Sequence, residues 1–138
     1  MQIGEPPTTV IFVSRKRPEP AVEEEMEACG LYALWAPSIA RAAPLFNSAQ
    51  DRTVVITELA LVDGNWRDLV EQVRFSERPI PIMLLASVST AELWWDALDC
   101  GVEDILLAPL SGRHLCRIVM DILSRAAINM SGRNSLDT

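Results

Sequence analysis

The segment Thr53-Val54-Val55-Ile56-Thr57 decides how this chain is read. Every residue in it is β-branched. Such side chains lose rotamer freedom in a helix and pack well on a pleated surface. Its centre is apolar without alternation, as expected of a strand covered on both faces. Behind it come Glu58, Leu59, Ala60, Leu61 and Val62, then Asp63-Gly64, a turn dipeptide that closes a loop over 58–64. A helix over about 65–75 follows, with Trp66, Leu69, Val70 and Val73 on one stripe.

The same alternation repeats outward in both directions. Upstream, Thr9–Val13 and Leu31–Ala36 read as strands. Between them, residues 18–29 read as a helix. Pro18 and Pro20 suit its first turn, Glu23, Glu24 and Glu25 favour its positive end, and Gly30 stops it. Val22, Met26 and Cys29 recur on one face of that helix. A short helix over about 38–47 is weakened by Pro44. Downstream, Pro81–Ala86 is the fourth strand. Ser89 or Thr90 caps a helix to about Cys100, which Gly101 ends. Asp104–Leu107 is the fifth strand, followed by Pro109. Ser111 caps the last helix, which turns Leu115, Ile118, Val119 and Ile122 inward. Residues 1–8 read as a flexible tail, 9–126 as one domain, and 127–138 as a flexible tail or linker. Strictly alternating β–α units with right-handed crossovers give a doubly wound parallel sheet. Ligands on such sheets sit beyond the carboxyl ends of the strands, so chemistry is sought at 14–17, 57–64, 86–89 and 107–110.

Bulk properties narrow the classes. With 138 residues, 49% hydrophobic and 22% charged, the chain suits one globular domain. A formal charge of −7 argues against direct nucleic-acid binding, and Arg15-Lys16-Arg17 is the lone basic cluster. No apolar run is long enough to span a bilayer, and the N-terminus lacks the layout of a signal peptide. The expected location is the cytoplasm. Cys29, Cys100 and Cys116 are scattered, with one His beside them in composition. They are expected to be small unpaired hydrophobes in a reducing compartment rather than metal ligands.

Two stretches carry a family resemblance. Val54-Val55-Ile56-Thr57-Glu58-Leu59-Ala60-Leu61-Val62-Asp63-Gly64 is one. Ala97-Leu98-Asp99-Cys100-Gly101-Val102-Glu103-Asp104-Ile105-Leu106-Leu107-Ala108-Pro109 is the other. In this order, on a frame of five β–α units from 9 to about 125, they resemble the receiver (CheY-like) domains of bacterial response regulators. The resemblance implies a flavodoxin-like sheet with strand order 2-1-3-4-5. It also implies phosphoryl transfer onto an aspartate that ends strand three, assisted by Mg²⁺ on an acidic pair, a hydroxyl and a lysine. Such a transfer depends on positioned charge around the phosphoryl.

The matched positions here lack that machinery. Glu58 stands at the phosphoacceptor position, Ser14 and Arg15 at the acidic pair, Leu85 at the hydroxyl and Ala108 at the lysine. Ile105 stands at the aromatic switch position. The chain's lone lysine is Lys16. Glu58 beside an arginine is a poor Mg²⁺ ligand set. The resemblance thus implies a pseudo-receiver, non-enzymatic and without metal or cofactor, that binds other proteins. Glu58 has two readings, a fixed carboxylate that mimics the phosphorylated state or a rim partner of Arg15 or Lys16, and the second is favoured. Asp63 as a substitute acceptor yields to turn chemistry, and His114 to a surface position. Ser87 and Ser89 offer hydroxyls after strand four.

On the helix at 90–100, Glu92, Asp96 and Asp99 share one side. Trp94, with Ala97 and Leu98, is assigned to the core and Trp95 to the border. A border Trp either anchors an interface or lies flat over its own helix. In receivers the face of helix four, strand five and helix five is the usual partner or dimer surface. Trp95 with Cys116, Met120 and Leu123 is the candidate interface. Two alternatives stay open: an atypical receiver that still accepts phosphate, and a small-molecule binder on the same frame. The second has no GxGxxG or P-loop glycine pattern behind it.

Overall fold

A computed structural model describes residues 8–136, with side chains as far as Arg125. The strands β1 (Thr8–Val13), β2 (Leu31–Ala36), β3 (Thr53–Glu58), β6 (Ile82–Ala86) and β7 (Asp104–Leu107) form one parallel sheet in the order β2-β1-β3-β6-β7. Counting main-sheet strands alone, this is 2-1-3-4-5, the doubly wound order expected. The helices α1 (Pro20–Ala28), α2 (Ile39–Asn47), α3 (Trp66–Phe75), α4 (Ala91–Asp99) and α5 (Gly112–Leu136) connect and follow them.

Strand alternation divides the core in two. Val10, Phe12, Val54, Ile56, Met83 and Leu106 point to one face, where Met26 of α1 and Leu115, Val119 and Ile122 of α5 cover them. Ile11, Val13, Val55, Ile82, Leu84 and Ile105 point to the other, where Phe46, Trp66, Leu69, Val73 and Ala97 cover them. Burial of each large side chain contributes roughly 1.5–3 kcal/mol, which is why strands apolar on both faces fold this way.

Between β3 and α3 the expected loop is a small antiparallel hairpin, β4 (Ala60–Leu61) and β5 (Gly64–Asn65). Gly64 has φ +154°, and a Cβ there would stand 2.6 Å from Asp68 Oδ2. Only glycine fits that approach. The next residue, Asn65, caps α3 in a reciprocal box with Asp68.

Several expectations need correction. Thr8 is the first residue of β1, not part of a tail; residues 1–7 lie outside the described ones. The last helix continues through Leu136, so the 127–136 stretch read from its Ser, Gly and Asn content as a linker has helical backbone. The helix is nucleated upstream by its packed turns, and weak propensity is easily overridden once a helix is under way. Cys29 and Cys116 are not unpaired. They form a disulfide between α1 and α5, with a Cα–Cα separation of 6.6 Å. That distance lies within the range a disulfide can bridge. It closes a loop of 87 residues, which in the chain-entropy account stabilises by roughly 4–5 kcal/mol. Cys100 is free and half-buried, as a small hydrophobe would be.

Candidate functional site

The carboxyl ends of β1, β3, β6 and β7 meet along one edge of the sheet. Ser14, Glu58, Leu85 and Ala108 share strand parity with the residues that face α1 and α5. Glu58 ends β3, directly across from Leu85 in the register. Its Oε1 accepts the backbone N–H of Arg15 at 2.6 Å, and the Arg15 guanidinium Nε lies 3.6 Å from the same oxygen. The arginine side chain is 60% exposed and the glutamate 27%. A pair this open contributes ~0–1 kcal/mol, but it fixes where the carboxylate points.

Ser14 is equally committed. It is buried, and its N–H donates to Ala36 O at 3.2 Å. Its hydroxyl donates to Lys16 O at 2.5 Å, while the Trp35 indole N–H reaches Ser14 O at 3.0 Å and Oγ at 3.2 Å. Trp35, at the end of edge strand β2, is a member of this site that sequence reasoning missed. Its partner lies 21 residues upstream and no local pattern links them.

The remaining positions are apolar. Leu85 is half-buried and packs toward α1 and α5, whereas Ala86, the last residue of β6, points to the opposite face with Ile105. Neither supplies a hydroxyl. Ala108 is exposed and Ile105 is buried in the core. Of the loop serines, Ser87 is exposed, and the Ser89 hydroxyl is buried without a partner among the described residues. Thr90, not Ser89, caps α4, accepting Leu93 N–H at 3.1 Å.

A divalent cation in this position needs clustered oxygens, and receivers use carboxylates. The site offers one carboxylate, already hydrogen-bonded to a backbone N–H and faced by a guanidinium. The residues present do not fit Mg²⁺. Among the described residues no group of three or more His, Cys, Asp or Glu gathers elsewhere to hold a metal.

Asp63 has a definite task. Its Oδ1 accepts Ile39 N–H at 2.9 Å and its Oδ2 accepts Ala40 N–H at 3.0 Å. With Ser38 Oγ taking Arg41 N–H at 3.1 Å, three of the donors left open at the start of α2 are satisfied. The two amide bonds, Ile39 foremost, hold the Asp63 carboxyl below the ordinary carboxylate range. The hairpin turn therefore clamps α2 from 24 residues away.

On α4 the expected facing is wrong by one position. The inward stripe is Leu93, Ala97 and Cys100, at i, i+4 and i+7. Trp94 and Leu98, assigned to the core, are exposed, and Trp95 is 68% exposed rather than at a border. The neighbouring strand β7 adds exposed Leu107. Trp94, Trp95, Leu98 and Leu107 thus leave apolar surface along one edge of the domain. Of the residues proposed to join them from α5, Met120 is exposed, whereas Cys116 and Leu123 are not. Cys116 is 8% exposed and bonded to α1. Met120 and Leu123 follow it at i+4 and i+7 on the same flank. Met120, 38% exposed, accepts at Sδ from Arg52 Nη2 at 3.7 Å, and Leu123 packs on the core.

This geometry can be set beside known proteins. No family model matches the chain. It is 31% identical over 77 residues to the transcriptional regulatory protein CusR of Escherichia coli K12, covering 56% of this chain and 34% of CusR. The chain therefore spans about a third of the length of the curated relatives it matches. Solved structures agree more broadly. A two-component response regulator from Clostridium difficile superposes with TM-score 0.74 at 22% identity, over 86% of this chain and 98% of that one. A CheY-like response regulator receiver domain protein from Methanospirillum hungatei JF-1 gives 0.74 at 14% identity, over 90% and 99%.

The chain has the receiver-domain fold.

A response regulator from Thermotoga maritima extends the comparison, with TM-score 0.72 at 21% identity over 86% of this chain and 98% of the other. β3 is the central strand of the sheet, so Glu58 stands at the middle of the carboxyl edge beside Arg15. Among the described residues no helix is long and apolar enough to cross a membrane.

Proposed function

We propose that this chain is a pseudo-receiver: a phosphorylation-independent protein-binding module of a two-component-type signalling system. The observation that carries this reading is the Arg15–Glu58 pair. In the receiver fold, a guanidinium and a backbone N–H occupy the carboxylate that would otherwise accept a metal and stand by a phosphoryl group. Leu85, Ala86 and Ala108 supply no compensating acid, hydroxyl or ammonium at the strand ends, and the Ser14 hydroxyl is bound to Lys16 O. Asp63 is occupied by α2, which argues against it as a stand-in acceptor.

The partner surface is the edge of α4 and β7, through Trp94, Trp95, Leu98 and Leu107. Large aromatics left in water are costly unless a partner covers them, and Trp is enriched at interface centres. The occupant is a signalling protein or a second copy of this chain. The acidic balance of −7 supports a protein partner over nucleic acid, and a cytoplasmic location follows from the signalling role.

The test is incubation with acetyl phosphate and Mg²⁺ followed by intact mass measurement. The expected spectrum is unchanged. A stoichiometric gain of one phosphoryl, removed by substitution at Glu58, Asp63 or Ser87, would overturn the reading.

A further inference from the structure

The disulfide lies far from the carboxyl-edge pocket in role and in chemistry, and nothing in the receiver fold calls for it. Its two residues differ in exposure. Cys29 caps the end of α1 and is exposed, while Cys116 sits in the second turn of α5 and is 8% exposed. They open onto a groove of about 310 Å³ lined by Glu25, Ala28, Cys29, Arg113 and Cys116. The groove is a seam between two helices held close together. Glu25 Oε2 accepts Arg113 N–H at 3.2 Å, and a Cβ on Gly112 would meet Glu25 and the Val22 carbonyl. Both cysteines line that groove, and Cys29 is the more exposed residue of the two.

We propose that Cys29–Cys116 is a thiol–disulfide exchange site for small-molecule thiols, with Cys29 as the entry sulfur and Cys116 as the resolving sulfur. In the reducing direction a small thiolate attacks Cys29 Sγ. The bond to Cys116 Sγ breaks, a mixed disulfide forms on Cys29, and Cys116 leaves as a thiolate that takes a proton from water. A second small thiolate attacks the small-molecule sulfur of the mixed disulfide. The oxidised small-molecule disulfide departs, and Cys29 is released and protonated. Two electrons pass from two thiols to the protein. The reverse sequence consumes one small disulfide and restores the tie. Exchange depends on which sulfur can be reached, and Cys29, on the exposed residue at the end of α1, is the entry point of the proposal. Reduction removes the covalent tie between α1 and α5 and leaves their packing and the Arg15–Glu58 pair in place, so this site is independent of the proposed binding function.

The experiment uses the full chain with Cys100→Ala, so that only this pair reports. Non-reduced peptide mapping is expected to show the Cys29–Cys116 cross-link. The native protein is then treated with graded reduced glutathione, quenched with iodoacetamide and mapped. Adducts are expected on Cys29, about tenfold more abundant than on Cys116. With oxidised glutathione in place of the reduced form, the Cys29 thiolate of Cys116→Ser is expected to displace one glutathione thiolate and hold a stable mixed disulfide, while Cys29→Ser leaves Cys116 unmodified until denaturant is added. Circular dichroism of each variant checks that it is folded, and the unsubstituted protein supplies the mapping result if a variant is not. Absence of the cross-link, equal adducts on both sulfurs, or reduction only after unfolding would overturn the proposal.

Discussion

The carboxyl edge of the sheet and the α4–β7 edge are opposites in how completely the fold uses its own groups. At the carboxyl edge Glu58, Ser14 and Asp63 are all engaged. Glu58 holds Arg15, Ser14 holds Lys16 and Trp35, and Asp63 holds the start of α2. At the α4–β7 edge the apolar side chains are left open, with Trp95 at 68% exposure and Leu98 at 54%. The difference teaches where to look for activity. A pocket whose charges are satisfied internally has little left to offer a ligand, whereas uncovered aromatic surface is completed by a partner.

The contrast can be broken or sharpened by substitution. The largest expected effect is at the open edge. Trp95→Ala is expected to weaken association through that face roughly 30-fold or more, as for a central interface aromatic. Sedimentation reads this for self-association, and an unchanged dimer would remove Trp95 from the interface. Next is the clamp on α2. Asp63→Asn is expected to lower stability by about 1 kcal/mol near neutral pH, the usual scale for losing a charged helix cap. Because the native carboxyl is held low by the amides of Ile39 and Ala40, its contribution is complete above the unfolded value of about 3.9. It is lost as pH falls through the lower native value. The stability gap between wild type and Asp63→Asn, followed by chemical denaturation, should therefore close below about pH 4.

Smaller still is Glu58→Gln. As a partly exposed pair partner, Glu58 is expected to contribute ~0–1 kcal/mol, with no change in oligomeric state. A variant that altered assembly would show the carboxylate setting a conformation, the phosphoryl-mimic role. Smallest of all, millimolar Mg²⁺ is expected to leave the melting temperature unchanged, because a ligand stabilises only when it binds the folded state.

Much of this was legible in the sequence. The β-branched run at 53–57 and the apolar strands around it dictated the parallel sheet, since both faces needed covering. That Glu58 pairs with a cation of the first loop, Arg15 or Lys16, was also legible, because two sheet-edge loops in a known order bring residues 43 apart together; the structure gives Arg15. What stayed hidden depends on side-chain direction or distant contact. The Leu93-Ala97-Cys100 stripe and the Trp94-Leu98 stripe are equally apolar, so periodicity on α4 had no basis for choosing which faces the sheet. Trp35 and Asp63 act on Ser14 and Ile39 through tertiary contacts that carry no local signature. Cysteines 87 residues apart in two helices give no spacing pattern at all.

Crystals grown with magnesium and beryllofluoride put the inertness of residue 58 to the test. The expected result is a carboxyl edge that keeps Glu58 on Arg15, with neither the metal nor the fluoride complex beside it. Density for both, seated against Glu58 with Arg15 turned away, would contradict the account.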